Sequence, residues 1–286
     1  MLSEVRCKGD VFQRRMRPLL GTFVEVAARG DAALAAIEQA FAMMLEAQAL
    51  WSFQDASSEL SQLNSRPGQV FTVHRLSARL LRIARALMLQ TQGVFDCTLG
   101  GELVALGVLP DHGGVPTLAR GCADDLVING REVLLRRPVR LCLDGIAKGY
   151  AIDCAIHAMR CAGVRDGWIN AGGDLRVFGD AVLPVQRREL DGSLSNLGYL
   201  REAALASSHV AAQVDMPFGM QLESESKDFP AHIIATTAEP AQVGVWSVMA
   251  KSAWRADALT KVAATLPADR AAQVIADLGA CLLLPE

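Results

Sequence analysis

Gly145-Ile-Ala-Lys-Gly-Tyr-Ala-Ile-Asp153 and Asn170-Ala-Gly-Gly-Asp174 are the two stretches on which the reading of this chain turns. In the first, a strand-like run over Val139 to Leu143 feeds through a glycine into a helix, expected from about Ala147 to Gly163. The unpaired N–H groups of a helix start, with Lys148 beside them, suit a phosphate group. The spacing is not that of a GxxxxGK[ST] loop, and the plain alternative is a strand-to-helix turn with a solvated lysine. In the second, adjacent glycines after an apolar strand let another backbone or a ligand approach closely. Asn170 and Asp174 flank Gly172 and Gly173 with polar groups, and the plain alternative is a glycine turn inside a sheet.

Around these stretches, strands and helices alternate without a steady βαβ rhythm, which indicates α+β with mixed or antiparallel sheets. Thr22 to Ala27 reads as a strand. Asp31 to Ala49 reads as a helix with Leu34, Ile37, Phe41, Met44, Leu45 and Gln48 on one stripe. Ser77 is a candidate cap for a second amphipathic helix, with Leu80, Ile83, Ala84 and Leu87 inward and Arg79, Arg82 and Arg85 toward water. Asn129-Gly130 between Leu126-Val-Ile and Val133-Leu-Leu predicts a hairpin with a type I′ turn. Further strands are expected near Trp168–Asn170, Ala204–Ser207, Ala231–Ile234 and Val243–Met249, and a late helix over Ala253 to Leu266, stopped by Pro267.

Three further segments carry polar groups suited to chemistry. Gly93-Val-Phe-Asp-Cys-Thr98 follows a helix, so Phe95 is a candidate to pack on an aromatic ligand and Asp96 to accept hydrogen bonds from it. The alternative is a helix-ending glycine followed by a core phenylalanine. On a helix, Asp257 and Lys261 of Ala256-Asp-Ala-Leu-Thr-Lys261 share a face, either as a cation site or as an ordinary i,i+4 ion pair. His232-Ile-Ile places a histidine at a strand end, where it can serve as a base.

Composition sets the outer bounds. The 286 residues, 51% hydrophobic and 21% charged with net charge −3, suffice for a full core and give no basic surface for nucleic acid. The seven cysteines are odd in number and lack a CxxC pair, so reduced structural thiols in a cytoplasmic protein are expected. Met1 to Leu20 holds no uninterrupted apolar stretch of signal-peptide length, and no run of about eighteen apolar residues occurs anywhere, so no membrane span is expected; a periplasmic setting stays open if a leader is missing.

Taken in order, Leu20-Gly-Thr-Phe23, Ser58-Glu-Leu-Ser-Gln-Leu-Asn64, Gly93–Thr98, Gly145–Asp153, Asn170–Asp174, His232-Ile-Ile and Ala256–Leu259 resemble the FAD:protein FMN transferase (ApbE) family, over about residues 17 to 266. The resemblance implies one ApbE-like (T-fold-like) domain over residues 17–286 behind an extension over 1–16. It implies FAD as substrate, Mg²⁺ as metal, and transfer of the FMN half to a Thr or Ser of an acceptor flavoprotein. Lys148 would contact FAD; Leu20, Phe53, Val94, Phe95, Asp96, Asn170, Gly172, Gly173, Asp174 and Ile233 would line its site. The Gly145 carbonyl and the Asp257 carboxylate would hold the metal, with Asp257 and His232 as catalytic groups.

The sequence departs from the family pattern at Cys142, Lys261, Ala235-Thr-Thr-Ala-Glu-Pro240 and Ala206-Ser-Ser-His209. Cys142 stands where an acidic residue is usual, and Asp144, two residues along a strand, would share its face and restore a carboxylate as a metal ligand. Lys261 replaces a common metal-ligating Thr, leaving two alternatives open: it turns to Asp257, or it reaches the diphosphate. Two rival functions also stand beside transfer, namely an FAD-binding or FAD-hydrolysing relative, and a non-catalytic assembly protein on the same scaffold.

Overall fold

The computed structural model describes residues 11–210 and 241–283. It opens on a hairpin of β1 (Gln13–Leu19) and β2 (Thr22–Arg29), paired from Gln13 with Ala28 to Leu19 with Thr22. The two turn residues, Leu20 and Gly21, both take positive φ, 56° and 72°, as a type I′ turn demands. β1 crosses the boundary expected at residue 16 and belongs to the sheet along its whole length.

Next comes α1 (Ala33–Trp51). Its buried face is Ala33, Ala36, Ile37, Ala40, Phe41, Met44 and Ala47, whereas Leu34 and Leu45, expected inward, are exposed. The inward stripe is set by alanines, whose small side chains let α1 lie close on its neighbours; leucine count alone misplaces it. After α2 (Glu59–Asn64) and β3 (Val70–Thr72) comes α3 (Arg75–Gln90), which starts two residues before the expected cap. Ser77 lies inside it, buried, and accepts a hydrogen bond from Trp51 Nε1 at 2.9 Å.

The short α4 (Gly100–Ala105) leads to the predicted hairpin, β4 (Leu126–Asn129) with β5 (Glu132–Leu135). Asn129 pairs with Glu132, so Gly130 and Arg131 form the turn, and only Gly130 has positive φ (58°). This is the II′ pattern, shifted one residue from the expected Asn-Gly I′ turn. Residues 139–143 are not a strand: one isolated bridge joins Leu99 and Arg140, and Asn64 clamps Leu141 by donating to its carbonyl and accepting from its N–H, both at 2.8 Å. A side chain satisfies that backbone, so no neighbouring strand is needed.

α5 (Ala147–Cys161) ends with Gly163 at φ 88°. It is followed by β6 (Asp166–Ala171), β7 (Asp174–Phe178), β8 (Leu183–Arg188), β9 (Leu194–Leu200) and β10 (Ala204–Val210). The chain resumes with β11 (Gly244–Ala250), α6 (Ala253–Thr265), α7 (Ala268–Asp277) and β12 (Ala280–Leu283). The strand expected at Ala231–Ile234 lies outside the described residues.

The main sheet has the order β1-β2-β6-β7-β10-β11-β12, antiparallel throughout; β3-β5-β4 and β8-β9 form small sheets of their own. This is the α+β architecture expected from the sequence. Alternation divides the main sheet into two faces. Val24, Val26, Ile169, Ala171, Phe178 and Val248 pack under α1, α5 and α6, whereas Ala27, Trp168, Leu175, Val177 and Leu205 pack under the β8–β9 side. Phe178, Ile37 and Met44 are among the fully buried large side chains, each contributing roughly 1.5–3 kcal/mol by burial. Among the described residues no helix is long and apolar enough to cross a membrane.

Candidate active site

Three elements converge where α5 begins. Lys148 sits in the first turn of α5, Asp174 opens β7, and Asp257 and Lys261 lie four residues apart on α6. Lys148 Nζ is 3.2 Å from Asp174 Oδ2, and Lys261 Nζ is 2.6 Å from Asp257 Oδ1. Asp174 and Asp257 are buried, while both lysines remain partly open to solvent. Asp174 faces α5 because it shares a sheet face with Arg176 and Phe178, two and four residues along the same strand.

The two helices are locked by exchanged carboxylates. Asp257 Oδ2 on α6 accepts from Gly149 N–H in the first turn of α5 at 3.0 Å. In return, Asp153 on α5 accepts from Ala253 and Trp254 N–H at the start of α6, each at 3.0 Å. Each acidic group meets unpaired amides at a positive helix end. Asp153 also holds Arg176 of β7 in an ion pair, so one carboxylate ties α5, α6 and the sheet together. Gly149 permits the crossing: a Cβ there would lie 2.6 Å from the Ala253 carbonyl carbon and 2.7 Å from Trp254 Cα. That glycine of the motif therefore serves helix packing. From the other side, Ser208 and Thr260 share a hydrogen bond of 2.7 Å, and Thr260 Oγ1 donates to the Asp257 carbonyl at 2.7 Å.

The electrostatics follow from crowding. Burial pushes the Asp174 carboxyl up to about 6, against the pull of Lys148 and with a further push from the charge of Asp257. The Asp174 charge in turn raises Lys148. Among the described residues, Asp174 Oδ2 receives no well-directed hydrogen bond despite the ion pair. Asp144 is reached by solvent yet sits in a crowded hollow. Desolvation raises its carboxyl, the Cys142 thiol and both lysines lower it, and Asp257 raises it. Cys142 and Asp144 do meet, although through the turn before α5, since the expected strand does not form. Burial likewise raises Asp153, in spite of Arg176 and the two α6 amides.

The other expected residues divide into three groups. Phe95 is buried, and its ring lies 3.6 Å from where a Cβ on Gly145 would stand, beside the Lys261 stem. Val94 is half-buried on the core; Asp96 is half-buried and accepts from Thr98 N–H and Oγ1, both at 2.7 Å. Gly172 and Gly173 form the β6–β7 turn at φ 60° and 98°, and a Cβ on Gly172 would press on Thr22, which joins that turn to Leu20 and Gly21. Leu20 N–H donates to Gln48 Oε1 at 2.8 Å.

Two residues stand apart from the cluster. Asn170 pairs with Leu175 on the strand face opposite Asp174, and its Oδ1 accepts from Gly173 N–H at 3.0 Å, so it shapes the turn. Phe53 is buried and stacks on His112 at 6.0 Å between ring centroids. His232 and Ile233 lie outside the described residues. Sequence reasoning gave no role to Asp153, Arg176, Asn64 or Ser208. An aspartate inside an otherwise apolar helix stretch was the available signal for Asp153.

Comparison with known proteins bears on the fold and the family. The fold matches the ApbE protein of Thermotoga maritima with a TM-score of 0.77 at 24% identity, covering 96% of this chain and 94% of that one. It also matches the flavinyl transferase ApbE of Pseudomonas stutzeri, apo form (0.77, 18%, 95% and 90%), and the flavin transferase ApbE of Vibrio cholerae (0.74, 20%, 92% and 90%). A Rhodobacter capsulatus FAD:protein FMN transferase is 37% identical over 138 residues, which is 44% of this chain. That match takes in 26% of the relative's length. The ApbE family model matches residues 20–283, nearly the whole described fold, and the chain belongs to the ApbE family.

Proposed function

We propose that this chain is an FAD:protein FMN transferase. The acceptor's Thr or Ser hydroxyl oxygen bonds to the flavin-side phosphorus of FAD. The bond from that phosphorus to the bridging oxygen breaks, its electrons leave with AMP, and the hydroxyl proton passes to a base, for which His232 is the candidate. FMN remains as a phosphoester on the acceptor. The observation that carries this reading is the pair of partly open ammonium groups, Lys148 and Lys261, fixed on buried carboxylates at the start of α5. Such groups stabilise charge as it develops on diphosphate oxygens, and being held in place they need little reorganisation. The likeness to the Rhodobacter capsulatus FAD:protein FMN transferase supports the same reading. Phe95, Gly172, Gly173 and Leu20 would border the nucleotide.

The family resemblance adds Mg²⁺, with the Gly145 carbonyl, Asp257 and Asp144 as ligands. The residues present fit it poorly. Both Asp257 oxygens already have donors, Lys261 Nζ and Gly149 N–H, while Asp144 is exposed. No step is therefore routed through a metal. The test is incubation with FAD and a candidate acceptor flavoprotein, reading AMP release by chromatography and acceptor labelling by in-gel flavin fluorescence. Labelling with one AMP per flavin is expected. AMP release without labelling identifies an FAD hydrolase, and binding without AMP release identifies a flavin-binding or assembly role.

A further inference from the structure

Resting on that flavin-nucleotide reading, we infer that Lys261 is the resident cation of this site: its ammonium, anchored on Asp257, meets the diphosphate, and FAD binds without a divalent metal. Asp257 is 1% exposed, and its two oxygens are committed to Lys261 Nζ at 2.6 Å and Gly149 N–H at 3.0 Å. Its carboxylate thus caps α5 and seats a lysine. A divalent ion on the same carboxylate would face an ammonium at contact distance, and like charges that close repel strongly. A protonated lysine has no lone pair to offer a metal.

The lysine is arranged to meet a ligand. Lys261 Nζ donates to Asp257 Oδ1 and to the Asp257 carbonyl at 3.1 Å, which, among the described residues, leaves the third of its N–H bonds unspent. Its side chain is 25% exposed, so that bond has an open side. The stem passes Gly145, with Cε 3.5 Å from where a Cβ would stand, an ordinary contact distance. Lys148 supplies a second ammonium in the same electrostatic cluster, since both lysines act on Asp174. Among the described residues, no group of three or more His, Cys, Asp and Glu side chains is placed to hold a metal.

The experiment has two arms, on the full chain and on Lys261→Met, which keeps the stem and removes the charge; circular dichroism checks that the variant is folded. In the first, calorimetry measures FAD affinity with EDTA and with Mg²⁺. The wild type should show the same affinity in both, and Lys261→Met should lose about tenfold or more without metal, as expected for a lost charged hydrogen bond. Wild-type binding that requires Mg²⁺, or a variant with unchanged metal-free affinity, overturns the inference. In the second arm, Mn²⁺ is titrated into nucleotide-free protein and followed by electron paramagnetic resonance. The wild type should bind none specifically and Lys261→Met should gain a site at the released Asp257. Stoichiometric Mn²⁺ on the wild type, or no gain in the variant, overturns it. Absence of FAD binding under every condition refutes the flavin reading, and the Mn²⁺ arm still decides the role of Lys261.

Discussion

Removing Asp153 should loosen the whole site without touching a ligand. Its carboxylate accepts from two α6 amides and pairs with Arg176, and the two side chains are only 11% and 18% exposed. Asp153→Ala leaves Arg176 as an uncompensated, nearly buried charge, a loss of about 3–5 kcal/mol. The two α6 amides lose their cap, typically about 1 kcal/mol. Because one carboxylate makes all these contacts, the losses overlap, and a total of about 4 kcal/mol is expected. The double variant Asp153→Ala/Arg176→Met removes the orphaned charge as well and should recover most of that, leaving about 1–2 kcal/mol for the cap. Urea unfolding followed by circular dichroism measures both, with an unchanged m-value confirming that native-state stability has moved. A single variant within about 1 kcal/mol of wild type, or a double variant no better than the single, refutes the role given to Asp153.

Other consequences are directly measurable. Gly149→Ala drives a methyl into the Ala253 backbone and should cost about 1–3 kcal/mol or more by spreading α5 from α6, read by thermal melting; an unchanged melting temperature contradicts the crossing. The Asp174 carboxyl should titrate near pH 6 by carbon NMR and higher still in Lys148→Met, because the ammonium favours the charged form. Its folded pKa lies above the unfolded value, so its contribution to stability is complete below about pH 4 and is lost as pH rises through about 6. A midpoint at or below 4 would remove the burial argument. All seven cysteines should alkylate as free thiols: the exposed Cys122, Cys161 and Cys281 first, and the buried Cys97, whose thiol burial raises, last. A pair protected until reduction contradicts this.

What was legible in the sequence follows a physical division. Short-range signals read well: Gly163 ends α5, Pro267 follows α6, and the i,i+4 spacing of Asp257 and Lys261 gives their ion pair. Motif order brought Lys148, Asp174 and Asp257 to one place, although 108 positions separate Gly149 from the Asp257 carboxylate it binds. Failures came where a distant partner decided the outcome. Leu34 and Leu45 face water because α1 lies on its alanines, and residues 139–143 stay out of a sheet because Asn64 satisfies Leu141. Asn170 looked like a ligand group, yet strand alternation puts it on the face opposite Asp174. The exchanged caps of α5 and α6 leave no local mark, since each aspartate meets amides of the other helix.

The central claim is that the Lys148–Asp174 and Lys261–Asp257 pairs handle the FAD diphosphate for transfer. Intact-mass analysis of a candidate acceptor flavoprotein, after incubation with FAD and this chain, tests it most directly. A gain of one FMN with loss of water on a Thr or Ser, abolished in Lys148→Met, is the predicted result. An acceptor left unlabelled by the wild-type chain, or labelled equally well by the Lys148→Met chain, would contradict it.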